Sequence, residues 1–285
     1  MINHLCVIGV GLIGGSLSMA LKKANCVKQV TGLGRSIENL QKAQQLGIID
    51  HFETDYSKVI PHADLIFIAV PIGAMAGVFK KIKPFLSGHV VVTDGASAKH
   101  RVIEIAQHEL GLKISHFVPG HPIAGTEKSG AEAAFDSLFQ NRRVILTPLE
   151  ENSKDDILKV RELWEASGAI VDEMGARHHD LVLAGTSHLP HVLAFSLVDC
   201  LNSVDDVDEI FKYAAGGFRD FTRIASSDPV MWRDICINNS EAILAMMHNY
   251  QTNIDVLKQA IENSDAEKIL ELFSNAKQAR DDFSM

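Results

Sequence analysis

Residues 9–16 read Gly9-Val10-Gly11-Leu12-Ile13-Gly14-Gly15-Ser16, directly after the apolar run Leu5–Ile8 and leading into a helix-compatible segment from Ser16 to Ala24. Each glycine in this spacing has its own physical job. The first permits a tight turn, the second lets a pyrophosphate approach the backbone, and the third lets helix and strand pack closely, so that the helix N-terminus stabilises the phosphates. Glycine triplets are common in turns, but one set between a strand and a helix predicts a dinucleotide site, with Gly9, Gly11, Leu12, Ile13 and Gly14 against the cofactor. Working outward, apolar runs at Val30–Leu33, Leu65–Val70, Val90–Thr93, Phe117–Pro119 and Val144–Leu146 alternate with helix-like segments. This βαβ rhythm predicts an α/β fold with a doubly wound parallel sheet. A helix around Asp155–Ala166 and a strand around Ala169–Glu173 complete that unit, and Gly175 marks the expected boundary between domains 1–174 and 175–285.

Beyond Gly175 the strand signal stops and the sequence reads as all-α. In one long segment Ile243, Met247, Tyr250, Ile254, Leu257 and Ile261 recur in alternating steps of four and three, which makes an apolar seam. Taken alone, the seam suits a helix buried in its own domain as well as a subunit interface. The 285 residues, 46% hydrophobic and 22% charged, describe a globular chain with a sizeable core. A net charge of -9 without a basic block argues against nucleic acid or an anionic membrane surface as the partner. Cys6, Cys26, Cys200 and Cys236 lie far apart with no CxxC spacing, which signals neither a zinc site nor a disulfide framework and points to a reducing compartment. No basic leader precedes an apolar stretch, and runs such as Leu65–Val70 are far shorter than the ~20 residues of a spanning helix. The expectation is a soluble, cytoplasmic protein.

The second strand ends in Gly32-Leu33-Gly34-Arg35-Ser36, where an NAD site usually places an acid for the ribose hydroxyls. No carboxylate stands there to repel a 2′-phosphate, and Arg35 with Ser36 can bind one through charge-assisted hydrogen bonds. This favours NADP over NAD, against the alternative that Arg35 is a solvated loop residue.

Ligands of open α/β sheets bind outside the carboxyl ends of the strands. Val70-Pro71, Asp94-Gly95-Ala96-Ser97 and Gly120-His121-Pro122 follow three of the apolar runs and should converge over the nicotinamide. His121 is read as held in a rigid turn between a conformationally free glycine and a restricting proline, and so aimed by the backbone. Ser97 is equally a candidate N-cap for the helix that begins near Lys99. In the helical half, Ser187-His188-Leu189-Pro190-His191 sets two imidazoles on one helix face, but no third ligand stands at metal spacing, so no metal is expected. Arg219 and Arg223 lie in the neutral stretch from Tyr213 to Trp232, where an arginine either grips a carboxylate or pairs with Asp220 or Asp228.

GVGLIGGS, DGASAK (94–99), GHPIAGTEKSG (120–130), SHLPH (187–191) and GGFRDFTRIASSDPVMW (216–232) together resemble the prephenate dehydrogenase family, which includes arogenate and cyclohexadienyl dehydrogenases. The resemblance runs over essentially the whole chain. It implies an N-terminal Rossmann domain, a helical C-terminal domain that forms a homodimer, and oxidative decarboxylation of prephenate or arogenate with hydride transfer to NAD(P). By the same resemblance, His121 would take the proton of the substrate C4 hydroxyl, with Ser97 orienting both groups. Arg223 would bind a substrate carboxylate. His188, His191 and Thr126 would line the pocket, with Glu127 as a gate or orienting group near Arg223 and Trp232 helping to close the site. The competing readings are another Rossmann-plus-helical dehydrogenase and a non-catalytic NADP sensor.

Overall fold

The computed structural model describes residues 1–205 and 207–283; Asp206 and residues 284–285 of the expected second domain lie outside them. Six strands form one parallel sheet in the order β3 (His51–Glu53), β2 (Val27–Leu33), β1 (Ile2–Ile8), β4 (Leu65–Ile68), β5 (Val91–Asp94), β6 (Phe117–Val118). Leu5–Ile8 of the central β1 are buried, in register with Leu65–Ile68 on one side and Val30–Leu33 on the other. A strand covered on both faces needs a continuous apolar run rather than alternation, which is why these three were legible. Helices α1 (Leu12–Lys23), α2 (Ile37–Gln45), α3 (Ile72–Ile82) and α4 (His100–Leu110) make the crossovers, and α5 (Lys154–Ala166) packs on the sheet. On α5, the buried Trp164 meets Phe67 and Phe139 edge-on, with ring centroids 5.4 and 5.2 Å apart. The strand order reverses between β1 and β4, so the crevice of such a fold opens beyond Ile8 and Ile68.

Two features depart from the sequence expectation. The three-residue β3 carries no apolar run, because its side chains are exposed or half-buried at the sheet edge. The strands after β6 do not extend the parallel sheet. Instead β7 (Gly120–Pro122), β8 (Arg143–Leu146) and β9 (Ile170–Glu173) form a second, three-stranded sheet, with β7 antiparallel and β9 parallel to β8. Pro119 has no amide to extend a ladder, and the chain changes sheets there. His121 therefore sits on a strand, opposite Ile145, not in a turn.

The helical region opens with α6 (Ala176–Leu183), which runs through a π-helical turn at Ala184–His188 into α7 (Leu189–Asn202). Pro190 offers no amide to the carbonyl four residues back, and the widened turn lies where that bond is given up. By length and composition Ala176–Asn202 could cross a bilayer, its most apolar 18-residue window having a mean hydropathy of 1.5. It carries the buried pair His179 and Asp180, bonded as described below. Then follow α8 (Val207–Lys212), α9 (Gly216–Thr222), α10 (Pro229–Asn238), α11 (Ser240–Glu262) and α12 (Ala266–Phe283). Asp228 caps α10 by accepting from the amides of Val230 and Met231 at 2.7 and 3.0 Å, with Pro229 at the first position.

Contacts divide the chain into two compact units, Met1–Ser240 and Glu241–Met285, so residues 175–240 fold in the unit that holds the sheet. In the second unit a tight turn with Ser264 at φ 56° joins the two long helices, and Asp265 accepts from the amide of Lys268 at 3.0 Å. Of the seam residues Ile243 is buried, while Met247, Tyr250, Ile254 and Ile261 remain 38 to 60% exposed.

Candidate active site

The glycine loop has the geometry a dinucleotide needs. Gly9 adopts φ +93°, and a Cβ there would lie 2.4 Å from the Ala69 carbonyl oxygen. A Cβ on Gly14 would lie 2.3 Å from the Gly9 carbonyl oxygen, so only glycine lets α1 pack this closely on β1. A Cβ added at Gly11 would meet no heavy atom within 4 Å apart from its chain neighbours and its own helix's backbone, which leaves that side open to approach. Gly11 is also the N-cap of α1 and supplies no side-chain cap, so the first amides of the helix, from Leu12 and Ile13 onward, are left for an anionic ligand. These residues fit a pyrophosphate. Nearby, Asn39 Nδ2 donates to the Val10 carbonyl at 2.9 Å, tying α2 to the loop. Ser36 caps α2 by accepting from the Asn39 amide at 3.2 Å. Arg35 is exposed at the end of β2, with no ion pair among the described residues. Pro71 is the N-cap of α3, and Val70 is half-buried against Gly9.

His121 is 8% exposed and belongs to a chain of buried polar groups. Its Nδ1 lies 2.8 Å from His179 Nε2, and His179 Nδ1 lies 2.8 Å from Asp180 Oδ1. The Asp180 carboxylate also accepts the amides of Lys99 at 2.8 Å and His100 at 2.9 Å, and so caps α4. Ser97 does not cap it. Beneath His121, the fully buried Lys99 Nζ donates to Asp94 Oδ2 at 2.5 Å and to the Gly120 carbonyl at 2.7 Å, while the Gly120 amide donates to Asp94 Oδ1 at 3.0 Å. Gly120 has no positive φ; its role is space, since a Cβ would stand 3.2 Å from Leu146 Cδ2 and 3.3 Å from the Asp94 carbonyl oxygen. Burial, followed by the nearby His179, Lys99 and His188, holds the His121 pKa well below its ordinary value. The imidazole is neutral near pH 7.

The same chain of contacts reaches the helical residues. Asn239 Nδ2 donates to the Asp180 carbonyl at 2.9 Å and lies 3.0 Å from His188 Nδ1. His188 is 1% exposed, its Nε2 is buried without a partner among the described residues, and burial lowers its pKa to about 4. His191 stacks on Trp232 with centroids 3.7 Å apart and planes 19° apart, and its Nδ1 lies 2.8 Å from the Ser187 carbonyl. Glu127 Oε2 stands 3.5 Å from Arg223 Nη1, both partly exposed, and Thr126 in the same loop accepts from the Lys128 amide at 3.2 Å. Ser97 is half-buried in the bend after β5, and no hydrogen bond joins it to His121 among the described residues. Nor is any group of three His, Cys, Asp or Glu among them placed to hold a metal ion.

The chain thus holds a glycine cradle at the sheet's switch point, a neutral buried imidazole, and an exposed Arg223 paired with the Glu127 carboxylate. Comparison with known proteins gives the family. Residues 17–173 match the family model described as prephenate dehydrogenase, nucleotide-binding domain, and residues 175–275 match prephenate dehydrogenase, dimerization domain. The chain belongs to the prephenate dehydrogenase family. Within that family it is 37% identical to the cyclohexadienyl dehydrogenase of Zymomonas mobilis over 98% of this chain and 95% of that one. It is 36% identical to the prephenate dehydrogenase of Bacillus subtilis over 98% of this chain and 76% of that one. The prephenate dehydrogenase of A. aeolicus, solved with hydroxyphenyl propionate and NAD+, superposes with a TM-score of 0.92 at 37% identity, covering 99% of each chain.

Against this family background, the sequence reading missed Asp94, Lys99, His179, Asp180 and Asn239. Lys99 had a signal, being a lone cation inside DGASAK next to an apolar helix. His179 and Asp180 had none, since neighbours on a helix face different ways.

Proposed function

We propose that this chain is the prephenate dehydrogenase its family suggests, converting prephenate to 4-hydroxyphenylpyruvate in tyrosine biosynthesis. The observation that carries the reading is the neutral, buried His121, backed by His179 and Asp180 and set beyond the sheet end that also positions the glycine cradle. The glycine cradle would hold the pyrophosphate of a nicotinamide dinucleotide, whose ring would supply the acceptor for a hydride from C4 of the substrate. His121 takes the C4 hydroxyl proton, which raises electron density on oxygen and helps hydride leave carbon. Loss of carbon dioxide then makes the ring aromatic. Ser97 orients the hydroxyl, Arg223 binds a substrate carboxylate, and Glu127 holds that guanidinium until substrate displaces it. His188, His191, Thr126 and Trp232 shape the pocket around the side chain in which prephenate and arogenate differ.

The preferred cofactor is NADP, because Arg35 is exposed and unpaired among the described residues at the end of β2, where a 2′-phosphate would come. The active form is a homodimer built through residues 175–285, since most of the α11 seam stays exposed in the single chain. Four free cysteines suit a reducing, cytoplasmic location. The test is reduced-cofactor formation at 340 nm with prephenate and arogenate crossed against NAD and NADP. Turnover of prephenate with NADP is expected. Turnover of arogenate alone would move the enzyme to the other branch, and a higher kcat/KM with NAD would overturn the role of Arg35.

A further inference from the structure

We propose that Asp180 is a positioning residue that orders the protons of both site histidines, leaving the second ring nitrogen of His121 a bare acceptor and that of His188 a bare donor. This rests on the reading of His121 as the base. The Asp180 carboxylate meets three donors, the amides of Lys99 and His100 and His179 Nδ1, at 2.8 to 2.9 Å. A carboxylate in that setting is ionised and can only accept, so the proton of His179 resides on Nδ1. A neutral imidazole carries one proton, so His179 Nε2 is an acceptor, and its partner at 2.8 Å, His121 Nδ1, must donate. His121 Nε2 is thereby left with a free lone pair. Burial lowers the pKa of both rings, which keeps each neutral.

The second branch starts from the backbone of the same residue. The Asp180 carbonyl can only accept, so the Asn239 amide must turn its NH2 toward it, at 2.9 Å. The other hydrogen of that NH2 then points to His188 Nδ1 at 3.0 Å, which makes Nδ1 an acceptor and puts the His188 proton on Nε2. That Nε2 is the buried nitrogen without a partner among the described residues. One residue thus prepares an acceptor and a donor of opposite polarity. Together they suit a substrate that presents a hydroxyl to the first and a carboxylate or carbonyl oxygen to the second.

Ring 15N–1H correlation spectra of 15N-histidine-labelled protein read the tautomers directly, with His121→Asn and His188→Asn used to assign signals. The expected pattern is Nδ1–H for His121 and His179 and Nε2–H for His188. An Nε2–H form of His121, or an Nδ1–H form of His188, would overturn the proposal. In kinetics, His179→Phe removes the acceptor and is expected to lower kcat about 10- to 100-fold, as loss of a ring-orienting partner does elsewhere. KM for the cofactor should stay unchanged, and the His121 signal should become a mixture of tautomers. His179→Gln, which restores an acceptor, should recover most of that loss. Wild-type kcat and a single His121 tautomer in His179→Phe would sink the idea; if that variant does not fold, the wild-type spectrum still decides. A wild-type enzyme with the expected tautomers but no turnover of prephenate would remove the substrate reading and leave the proton order standing.

Discussion

The glycine cradle and the imidazole chain solve the same problem, fixing a group in space, by opposite means. The cradle is local in sequence: Gly9, Gly11 and Gly14 act through what they lack, and the nearest atoms that Gly9 and Gly14 make room for are the carbonyl oxygens of Ala69 and Gly9. The imidazole chain is assembled from β5, β7, the start of α4, α6, the π turn and Asn239, and its long-range bonds span 21 to 81 residues of sequence. A local device tolerates changes elsewhere but no added atom, whereas a long-range one depends on every partner that satisfies a buried group.

The largest effect should come from the imidazole chain itself. His121→Asn is expected to lower kcat by about 10² to 10⁴, the usual contribution of a positioned base, with cofactor affinity kept. Steady-state kinetics and a cofactor titration would show it, and near-normal turnover would remove His121 from the chemistry. Next is Lys99→Met, which strands the fully buried Asp94 carboxylate. Breaking one side of a buried pair costs about 3 to 5 kcal/mol, to be read from urea unfolding, and a further Asp94→Asn change should recover part of it. An unchanged midpoint in the single variant would mean that Lys99 is dispensable to the fold.

The chain should also respond to acid where the cradle cannot. His188 titrates at about 4 when folded and near 6.5 when unfolded, so the unfolded state binds the proton first as pH falls. Its contribution is therefore fully present above pH ~6.5 and is lost between there and pH ~4, on the order of 3 kcal/mol. Melting temperature against pH would show that slope, and His188→Gln should make it shallower, leaving the part owed to His121 and His179, whose pKa values burial lowers too; a wild-type curve level over this window would contradict the buried neutral histidine. The smallest effects belong to the cradle. Gly14→Ala forces a Cβ onto the Gly9 carbonyl and should cost about 1 to 3 kcal/mol of stability as well as cofactor affinity. Gly11→Ala meets open space, so it should weaken cofactor binding while leaving the melting temperature alone. If both variants behaved alike, the distinction between packing glycine and approach glycine would fail.

The same contrast explains what could be read from the sequence. The cradle, the apolar strands and the helical second half were legible because each depends on spacing within a dozen or so residues. The short β3 was not, having no buried run, and β7 was hidden because Gly120-His121-Pro122 looks like a turn until β8 pairs with it. His121, His188, Arg223 and Glu127 were singled out through motifs. Their supports were not, since Lys99, Asp180 and Asn239 acquire meaning only when the fold brings them together.

The π turn at Ala184–His188 sets angular phase. His179 and His188 are nine residues apart, and on an unbroken α-helix, at about 100° per residue, they would look in nearly opposite directions. A π turn absorbs an extra residue and turns everything after it back by roughly one residue's rotation. The helix is thus two rulers joined out of step, one aligned to Asp180 and the other to Asn239 and Trp232. Deleting a single residue between Ala184 and Ser187 would remove the one the π turn absorbs, giving eight α-helical steps in place of nine and leaving His188 and His191 facing the partners they have now.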